Sequence, residues 1–463
     1  MTGLGRKLGI AVGFASLLAV PACKQILGLE ERTEYLDAQA PGTPDANNAD
    51  VDAAPSGPVV GSCGAMKHPS QACADCMDAN CCEKANACHD DGACAAEVDC
   101  LFRCSSDGAC RARCNQFYNR GDALLDTTAC REKSCAAECG LSCGGLAYSV
   151  PGCDSCVQST CCELASACAK NVECLRLDLC RSNCLPGSMS CPTECEAQHP
   201  DGRADYAPWL NCVQNTCTSS CQAGRGWACL DAPFVWPKPQ VLGTITFALT
   251  VVDLQTERPF ANATVKACAK LDTMCLSPIK ESTTDAEGLV SLTVPAGSVG
   301  FDGYVEITGG NNGTSPIYSA MWYPVPPIIS DGWRGRLQFI SAEDLPLFAI
   351  FTGVDIDPTR GHFAANATDC NFSAAGDVSF VADAQENNPE DKTIKRFYFV
   401  GGVPSISATR TDPTTSIAGF VNLPARAALI TATSIQAGNK QVGQLQFNIR
   451  AGWFTTSTFP PVP

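Results

Sequence analysis

The chain has 463 residues, 45% apolar and 17% charged, with 39 glycines and 30 prolines. That composition is neither collagen-like nor low-complexity, and the length suits three or four domains. Thirty-two Lys and Arg against 48 Asp and Glu give a net charge of −16, which excludes nucleic acid as the main partner because no basic stripe offsets the acidity. The 33 cysteines beside 4 histidines point to an oxidising compartment, since a reducing cytosol would keep so many thiols reactive.

Arg6 and Lys7 precede an apolar run from Leu8 to Val20. The run is too short to span a bilayer and has the size of a signal-peptide hydrophobic region. It ends Val20-Pro21-Ala22-Cys23. A small residue before a cysteine at this place resembles the lipobox of bacterial lipoproteins. The resemblance implies a signal peptide over 1–22, lipid on the Cys23 thiol and acylation of the new amino terminus; two or more acyl chains hold a protein on a membrane stably. Lys24, not Asp, follows the cysteine, which by the same resemblance favours export to the outer membrane, on its periplasmic or cell-surface side. The alternative is an ordinary secretory signal that leaves Cys23 a thiol. Residues 23–62 read as an acidic Pro/Ala-rich tether: 38–60, AQAPGTPDANNADVDAAPSGPVV, has no aromatic and no basic residue and cannot offset the entropy of ordering.

Next comes a duplicated framework. Cys63 is followed by cysteines at 73, 76, 81, 82, 88, 94, 100, 104, 110, 114, 130, 135 and 139. Cys143 is followed by 153, 156, 161, 162, 168, 174, 180, 184, 191, 195, 212, 217 and 221. Fourteen cysteines matched in order define two modules, Cys-rich helical repeat 1 over 63–142 and repeat 2 over 143–230. The spacing slips between Cys104 and Cys110 and between Cys114 and Cys130, so turns are expected there. Cys100/Cys104, Cys110/Cys114 and Cys135/Cys139, with Cys180/Cys184, Cys191/Cys195 and Cys217/Cys221, are i,i+4 pairs and are expected on helix faces. Two such helices joined by a short turn resemble the twin-CX3C helical hairpins. That resemblance implies Cys104–Cys110 and Cys100–Cys114 in repeat 1, and Cys184–Cys191 and Cys180–Cys195 in repeat 2. The pairs Cys73/Cys76 and Cys153/Cys156 have CxxC spacing, open to a zinc half-site or a thiol-redox motif as well as to disulfides. An export signal and an even count favour disulfides.

From about 240 the cysteines thin out and period-2 patterns begin. Thr244–Val251, Ala263–Ala267, Leu289–Pro295 and Gly303–Ile307 read as strands, with turns at Glu257-Arg258-Pro259 and Thr284-Asp285-Ala286-Glu287-Gly288. Short strands at this spacing suggest an antiparallel sandwich. Val252-Asp253, Pro259, Ala263-Thr264-Val265, the 284–288 turn and Val294-Pro295-Ala296-Gly297 resemble the carboxypeptidase-regulatory-like (transthyretin-like) β-sandwich, which implies an accessory module for adhesion, spacing or carbohydrate contact. A looser second copy carries Ala375–Phe380, Gly419–Pro424, Leu429–Thr433 and Val442–Arg450, with a short helix near 342–353 announced by Ser341-Ala342-Glu343-Asp344. The expected β-sandwich domains span 240–330 and 331–463. Cys268 and Cys275 suit a clip at a strand end, while Cys229 and Cys370 either join the cysteine-rich part to the second sandwich or stay free.

The fold class expected is therefore multidomain: two disulfide-rich, mainly α-helical repeats followed by two all-β sandwich (transthyretin/Ig-like) domains. No catalytic motif is present, and no catalytic residue, metal site or cofactor is expected. His68, His89, His199 and His362 show no ligand spacing and are expected at the surface. Trp322, Trp333 and Trp453 are candidate ligand aromatics, with core packing as the alternative. The whole resembles Cys-rich repeat lipoproteins predicted in large-genome Gram-negative bacteria. The expected function is a non-enzymatic, lipid-anchored cell-envelope protein with an adhesion, binding or structural role, whose partners are the membrane and a glycan or protein ligand. The alternatives are a carbohydrate-binding accessory module that docks a secreted enzyme, and a metal or thiol-redox protein using the CxxC pairs.

Overall fold

A computed structural model describes residues 58–461, apart from 105–107, 119–120, 146–150, 183, 185–190, 218–219, 222–226, 228–229, 231–242 and 371. Cys23, the signal peptide and most of the tether lie outside the described residues.

Module 1 opens with a small hairpin, β1 (Val59–Val60) and β2 (Lys67–His68), followed by α1 (Gln71–Asn80), α2 (Cys82–Asp90), α3 (Gly92–Cys104), α4 (Gly108–Tyr118) and α5 (Asp122–Ser134). Module 2 repeats the helices as α6 (Pro151–Thr160), α7 (Cys162–Lys170), α8 (Val172–Ser182), α9 (Cys191–Gln198) and α10 (Arg203–Thr216). The helices are short, and local capping sets their limits. Ser70 accepts from the Cys73 amide at 3.1 Å to start α1, and Asp91 accepts from Ala93 and Cys94 to start α3.

Disulfides do most of the packing. In module 1, Cys73–Cys139, Cys76–Cys135 and Cys81–Cys130 form an antiparallel ladder between α1 and the end of α5. Cys100–Cys114 and Cys104–Cys110 clamp α3 to α4, and Cys63–Cys82 and Cys88–Cys94 complete seven bonds. Module 2 uses the same connectivity: Cys153–Cys221, Cys156–Cys217, Cys161–Cys212, Cys180–Cys195, Cys184–Cys191, Cys143–Cys162 and Cys168–Cys174. The two CxxxC clamps are the pairs the helical-hairpin resemblance implies. Cys135 and Cys217 are the C-caps of α5 and α10, and the amides of Cys139 and Cys221 donate to their carbonyls at 2.9 and 2.7 Å, which keeps each i,i+4 pair one helical turn apart. In chain-entropy terms a bond closing a separation of 66 residues contributes on the order of 4 kcal/mol, against about 2 for a separation of 6. The long ladder therefore sets the module. Half-cystines also fill its interior: Cys73, Cys81, Cys135 and Cys139 surround Met77 in one buried cluster. Gly64 and Gly144 lie at corresponding places with φ of 66° and 78°. A Cβ there would approach the carbonyl oxygens of Ala85 and Ala165 to 2.3 and 2.6 Å, so only glycine lets the chain pass close enough to its helix to form the bonds of Cys63 and Cys143.

The modules pack through Leu125, Ala129 and Leu175. Arg176 of α8 bridges to Asp122 and Asp126 of α5 at 3.0 and 2.9 Å.

The β half contains β3 (Thr244–Asp253), β4 (Ala261–Ala269), β5 (Lys280–Thr283), β6 (Leu289–Pro295), β7 (Gly303–Asn311), β8 (Ala320–Tyr323), β9 (Trp333–Phe339), α11 (Leu345–Thr352), β10 (Arg360–Ala367), β11 (Val378–Ala382), α12 (Asp383–Asn387), β12 (Lys395–Val400), β13 (Val403–Ser405), β14 (Ile417–Pro424), β15 (Ala427–Ser434), β16 (Lys440–Asn448) and β17 (Phe454–Phe459). The two sandwiches share one nine-stranded sheet, ordered β13-β12-β14-β10-β17-β8-β7-β4-β5, with three-stranded sheets β6-β3-β9 and β11-β15-β16 packed on it. The parallel pairing of β17 with both β8 and β10 makes the junction. Side-chain parity places the small sheets on opposite faces. Val305, Ala320 and Trp322 belong to the first core with Phe247, Leu249 and Leu292. Their chain neighbours Tyr304, Met321 and Tyr323 belong to the second core with Phe363, Phe420 and Phe447. Strands β7 and β8 are thus buried on both sides, which explains why Ala320-Met321-Trp322-Tyr323 does not alternate.

Two expectations need correction. The boundary at 330/331 cuts off β9, which pairs in parallel with β3 over Trp333–Phe339 and belongs to the first sandwich. The helix near 342–353 starts later: Ser341 donates its amide (3.1 Å) and hydroxyl (2.7 Å) to the Asp344 carboxylate, and this turn delivers the chain into α11 at Leu345.

A buried polar network ties the sandwiches together. Arg450, 7% exposed, pairs with Glu306, 6% exposed. Arg450 also donates to the Tyr304 hydroxyl at 2.6 Å and to the Thr273 carbonyl at 2.7 Å. Tyr304 donates to the Asp272 carbonyl at 2.5 Å, and burial pushes its hydroxyl above the ordinary tyrosine range. Removing one partner strands the other charge, so Arg450→Met is expected to destabilise the β half by about 3–5 kcal/mol, with Arg450→Met/Glu306→Leu recovering most of the loss. Denaturant unfolding followed by tryptophan emission measures both.

Cys268–Cys275 is the clip expected at the end of β4. Cys370 is also disulfide-bonded, and every other described cysteine has a partner named above. Cys229 lies outside the described residues, but Trp227 and Leu230 on either side of it pack into the second sandwich core. A non-reducing peptide map is expected to join Cys370 to Cys229; Cys370 linked elsewhere, or free, contradicts this.

Candidate functional site

The small sheet β6-β3-β9 covers only part of its face of the large sheet. Beyond the β9 edge, the face of β17, β10 and β14 meets the cysteine modules across a cavity of about 920 Å³, within the range of small-molecule sites. The register puts Trp322, Thr456 and Ala364 in one row and Thr458, Asn366 and Ile417 in the next, and all six line the cavity. Leu101 of α3, Leu124 and Arg131 of α5, and Leu175, Asp178 and Leu179 of α8 form the opposite walls. The edge strand β9 contributes Trp333 through Phe339.

Trp333 folds back over its own strand. A Cβ at Gly335 would lie 2.4 Å from the Trp333 ring, so the missing side chain makes room for the indole. That ring stacks on Trp322 with centroids 5.9 Å apart and planes 20° apart. Trp322 is 7% exposed, while Trp333 is half-buried. The structure therefore joins two of the three candidate aromatics. Trp453 sits elsewhere, against the second core with its ring 5.0 Å from the Arg450 guanidinium carbon.

The lining reverses the sign of the chain. Lys67, Arg111, Arg131, Arg334 and Arg336 face it together with a single acid, Asp178. Several of these cations have partners set back from the cavity: Lys67 meets Asp99 at 2.5 Å, Arg131 meets Glu132 at 3.8 Å, and Arg336 reaches Glu194 of α9 at 3.2 Å. Arg336 also meets Glu257 at 3.9 Å, so pairing dilutes the field that these side chains place on the cavity. Sequence reasoning missed Arg334, Arg336, Asn366, Thr456 and Thr458. Reading Phe454–Phe459 as a strand beside Arg360–Ala367 would have aligned Thr456, Thr458 and Asn366 on one face of the large sheet, and reading Trp333–Phe339 as a strand would have placed Arg334 and Arg336 together on one face of β9.

The CxxC cysteines are not paired with each other. Cys73 and Cys76 bond to Cys139 and Cys135, and Cys153 and Cys156 to Cys221 and Cys217. Each sulfur is committed to a distant partner, so these pairs offer no zinc half-site or vicinal dithiol. The close sulfur groups at Cys100/Cys104/Cys114 and Cys184/Cys191/Cys195 are likewise the clamp disulfides.

Two histidines depart from the surface placement expected. His68, 3% exposed, lies 3.8 Å from Cys73 Sγ through Nδ1, and burial holds its pKa below the ordinary value. His362 is fully buried between the rings of Tyr318 and Phe454, and its Nδ1 accepts from the Asn422 amide at 3.3 Å. Strand parity puts it on the face that α11 covers, and the missing hydration lowers its pKa to about 4. His89 is exposed, and His199 is half-buried 3.0 Å from Glu173. A depressed histidine leaves the folded state with fewer bound protons than the unfolded state between pH 4 and 6.5. Its contribution is therefore present above pH 6.5 and lost as pH falls toward 4, by about 3 kcal/mol in all. Urea midpoints measured across this range are expected to fall with acidification, and less steeply in His362→Gln.

No family model and no curated protein matches the chain. Among solved structures it is similar to the Bacillus anthracis TIE protein, at 13% identity over 48% of this chain and 34% of that one, with a TM-score of 0.17. It is also similar to shaft pilin spaA from Lactobacillus rhamnosus GG, at 10% identity over 48% and 98% with a TM-score of 0.17. A third is a 9R-lipoxygenase from Cyanothece PCC8801, at 10% identity over 21% and 17% with a TM-score of 0.17. The chain spans about a third of the TIE protein and less of the lipoxygenase. Likenesses at these scores carry no argument about activity or partners.

Proposed function

We propose that the protein is a non-enzymatic, lipid-anchored component of the cell envelope that holds an acidic glycan in the cavity between its cysteine modules and its shared sheet. The observation that carries the envelope reading is the disulfide framework: seven bonds per module in one repeated connectivity belong in an exported protein. Among the described residues no helix is long and apolar enough to cross a membrane, so attachment falls to Cys23 in this reading. The glycan reading is favoured by the Trp322–Trp333 stack beside a floor of Thr456, Thr458 and Asn366, with arginines at the rim. Indole faces stack on the apolar faces of sugars, while hydroxyl, amide and guanidinium groups take their polar edges.

The test has two arms in one preparation. Membrane fractionation with mass analysis of the amino-terminal peptide is expected to find an acylated Cys23, and Cys23→Ser is expected to abolish acylation. Binding to an array of acidic and neutral oligosaccharides is expected to favour the acidic ones. Trp333→Ala is expected to weaken that binding about ten-fold or more while leaving the disulfide pattern intact. An unmodified Cys23 overturns the anchor, and glycan binding untouched by Trp333→Ala overturns the cavity.

A further inference from the structure

The loop from β4 to β5 carries three of the most exposed large apolar side chains described: Leu271 at 91%, Leu276 at 83% and Met274 at 59%. Such residues scattered singly mean little; three within six positions on one stapled loop form a patch. The backbone that presents them is fixed from inside. Cys268–Cys275 closes the loop. The Asp272 carboxylate accepts from the amides of Leu276 (3.1 Å) and Ser277 (2.9 Å), and these bonds hold its pKa below the ordinary carboxylate range. The carbonyl of Asp272 accepts from Tyr304, and that of Thr273 accepts from Asn448 and Arg450, both at 2.7 Å. The acid and two carbonyls of the loop are thus consumed by the protein, and what remains on the outside is aliphatic.

We infer that this loop is an interfacial knuckle that seats Leu271, Met274 and Leu276 in the headgroup–acyl boundary of an anionic bilayer. Size and shape favour lipid over a protein partner. A stable protein interface buries roughly 800 Å² per partner around a well-packed centre, far more than three side chains on a convex loop supply. A fluid boundary needs no complementary pocket and gains with each apolar side chain it receives. Charge agrees. Lys266, Lys270 and Lys280 flank the loop in a chain of net charge −16. Lys270 pairs with Asp302 at 2.9 Å and Lys266 with Glu281 at 3.6 Å. The loop's own carboxylate is turned onto its own amides, so the acids beside the knuckle are Asp302 and Glu281, each set against a flanking lysine.

The test uses the mature chain isolated with its disulfides, carrying Leu271→Trp, and vesicles of phosphatidylethanolamine and phosphatidylglycerol with or without brominated acyl chains. After subtraction of the parent emission, the added indole is expected to shift to the blue on binding and to be quenched by the brominated lipid. In the Leu271→Trp chain, adding Met274→Asp/Leu276→Asp is expected to return the bound indole's emission toward that in water and to remove most of its quenching. Emission that stays water-like on vesicle-bound protein overturns the inference, as does quenching that the added aspartates leave unchanged. The readout is local: acylated Cys23 would bring the chain to the vesicle without sinking position 271, so failure here and failure of the anchor reading are separable. An indole dark to lipid but covered by an added protein assigns the knuckle to a protein partner and contradicts the proposal.

Discussion

The constraint on which the amino-terminal half rests is the nested ladder that joins the CxxC of the first helix to the CxxxC after the last. Cys73–Cys139 closes nearly the whole module, and Cys76–Cys135 and Cys81–Cys130 sit inside that closure. An outer bond removes most of the unfolded chain's freedom, while inner bonds add register. Once α1 lies antiparallel to α5, the shorter clamps have only one neighbour each to reach. The interior can then be small: half-cystines and Met77 make one cluster, and Cys88 and Cys94 make another with Leu124. The module can be copied because the framework, rather than its surface sequence, specifies the fold.

The β half is held by different means, and the two solutions meet at the cavity. A sheet nine strands wide with cores on opposite faces leaves one stretch of face uncovered. The cysteine modules bridge that stretch without filling it. They touch the β half where Phe117, Tyr118 and Ala96 pack with Ile329, where Ser330 donates to the Phe117 carbonyl at 3.0 Å, and where Arg336 reaches Glu194. The cavity is a consequence of the two halves meeting at a few points, and its lining inherits polar side chains that a sheet face keeps for solvent.

The covalent plan was the most legible part of the sequence, because matched cysteine spacing survives any uncertainty about helices. The twin clamps followed from i,i+4 spacing together with a known hairpin pattern. The long ladder did not, since spacing alone cannot say that position two pairs with position fourteen. In the β half, strands with one buried face were readable: Thr244–Val251 and Leu289–Pro295 alternate as they should. Strands buried twice, such as Ala320–Tyr323, and the mostly polar Phe454–Phe459 were not, and the second of these joins the sandwiches. Missing that strand hid the shared sheet, and with it the row of Trp322, Thr456 and Ala364 that floors the cavity. The buried histidines were missed for a related reason. A lone His362 in Arg360–Ala367 looks like a polar position until α11 is known to cover it.

The most direct measurement of the central claim is thiol titration of the native protein in denaturant, before and after reduction. The account predicts no reactive thiol before reductant, because the described sulfurs are bonded and the proposed anchor puts lipid on Cys23, and a full complement from the bonded cysteines afterwards. Stoichiometric reaction before reductant, or bound zinc released as the thiols react, would contradict it.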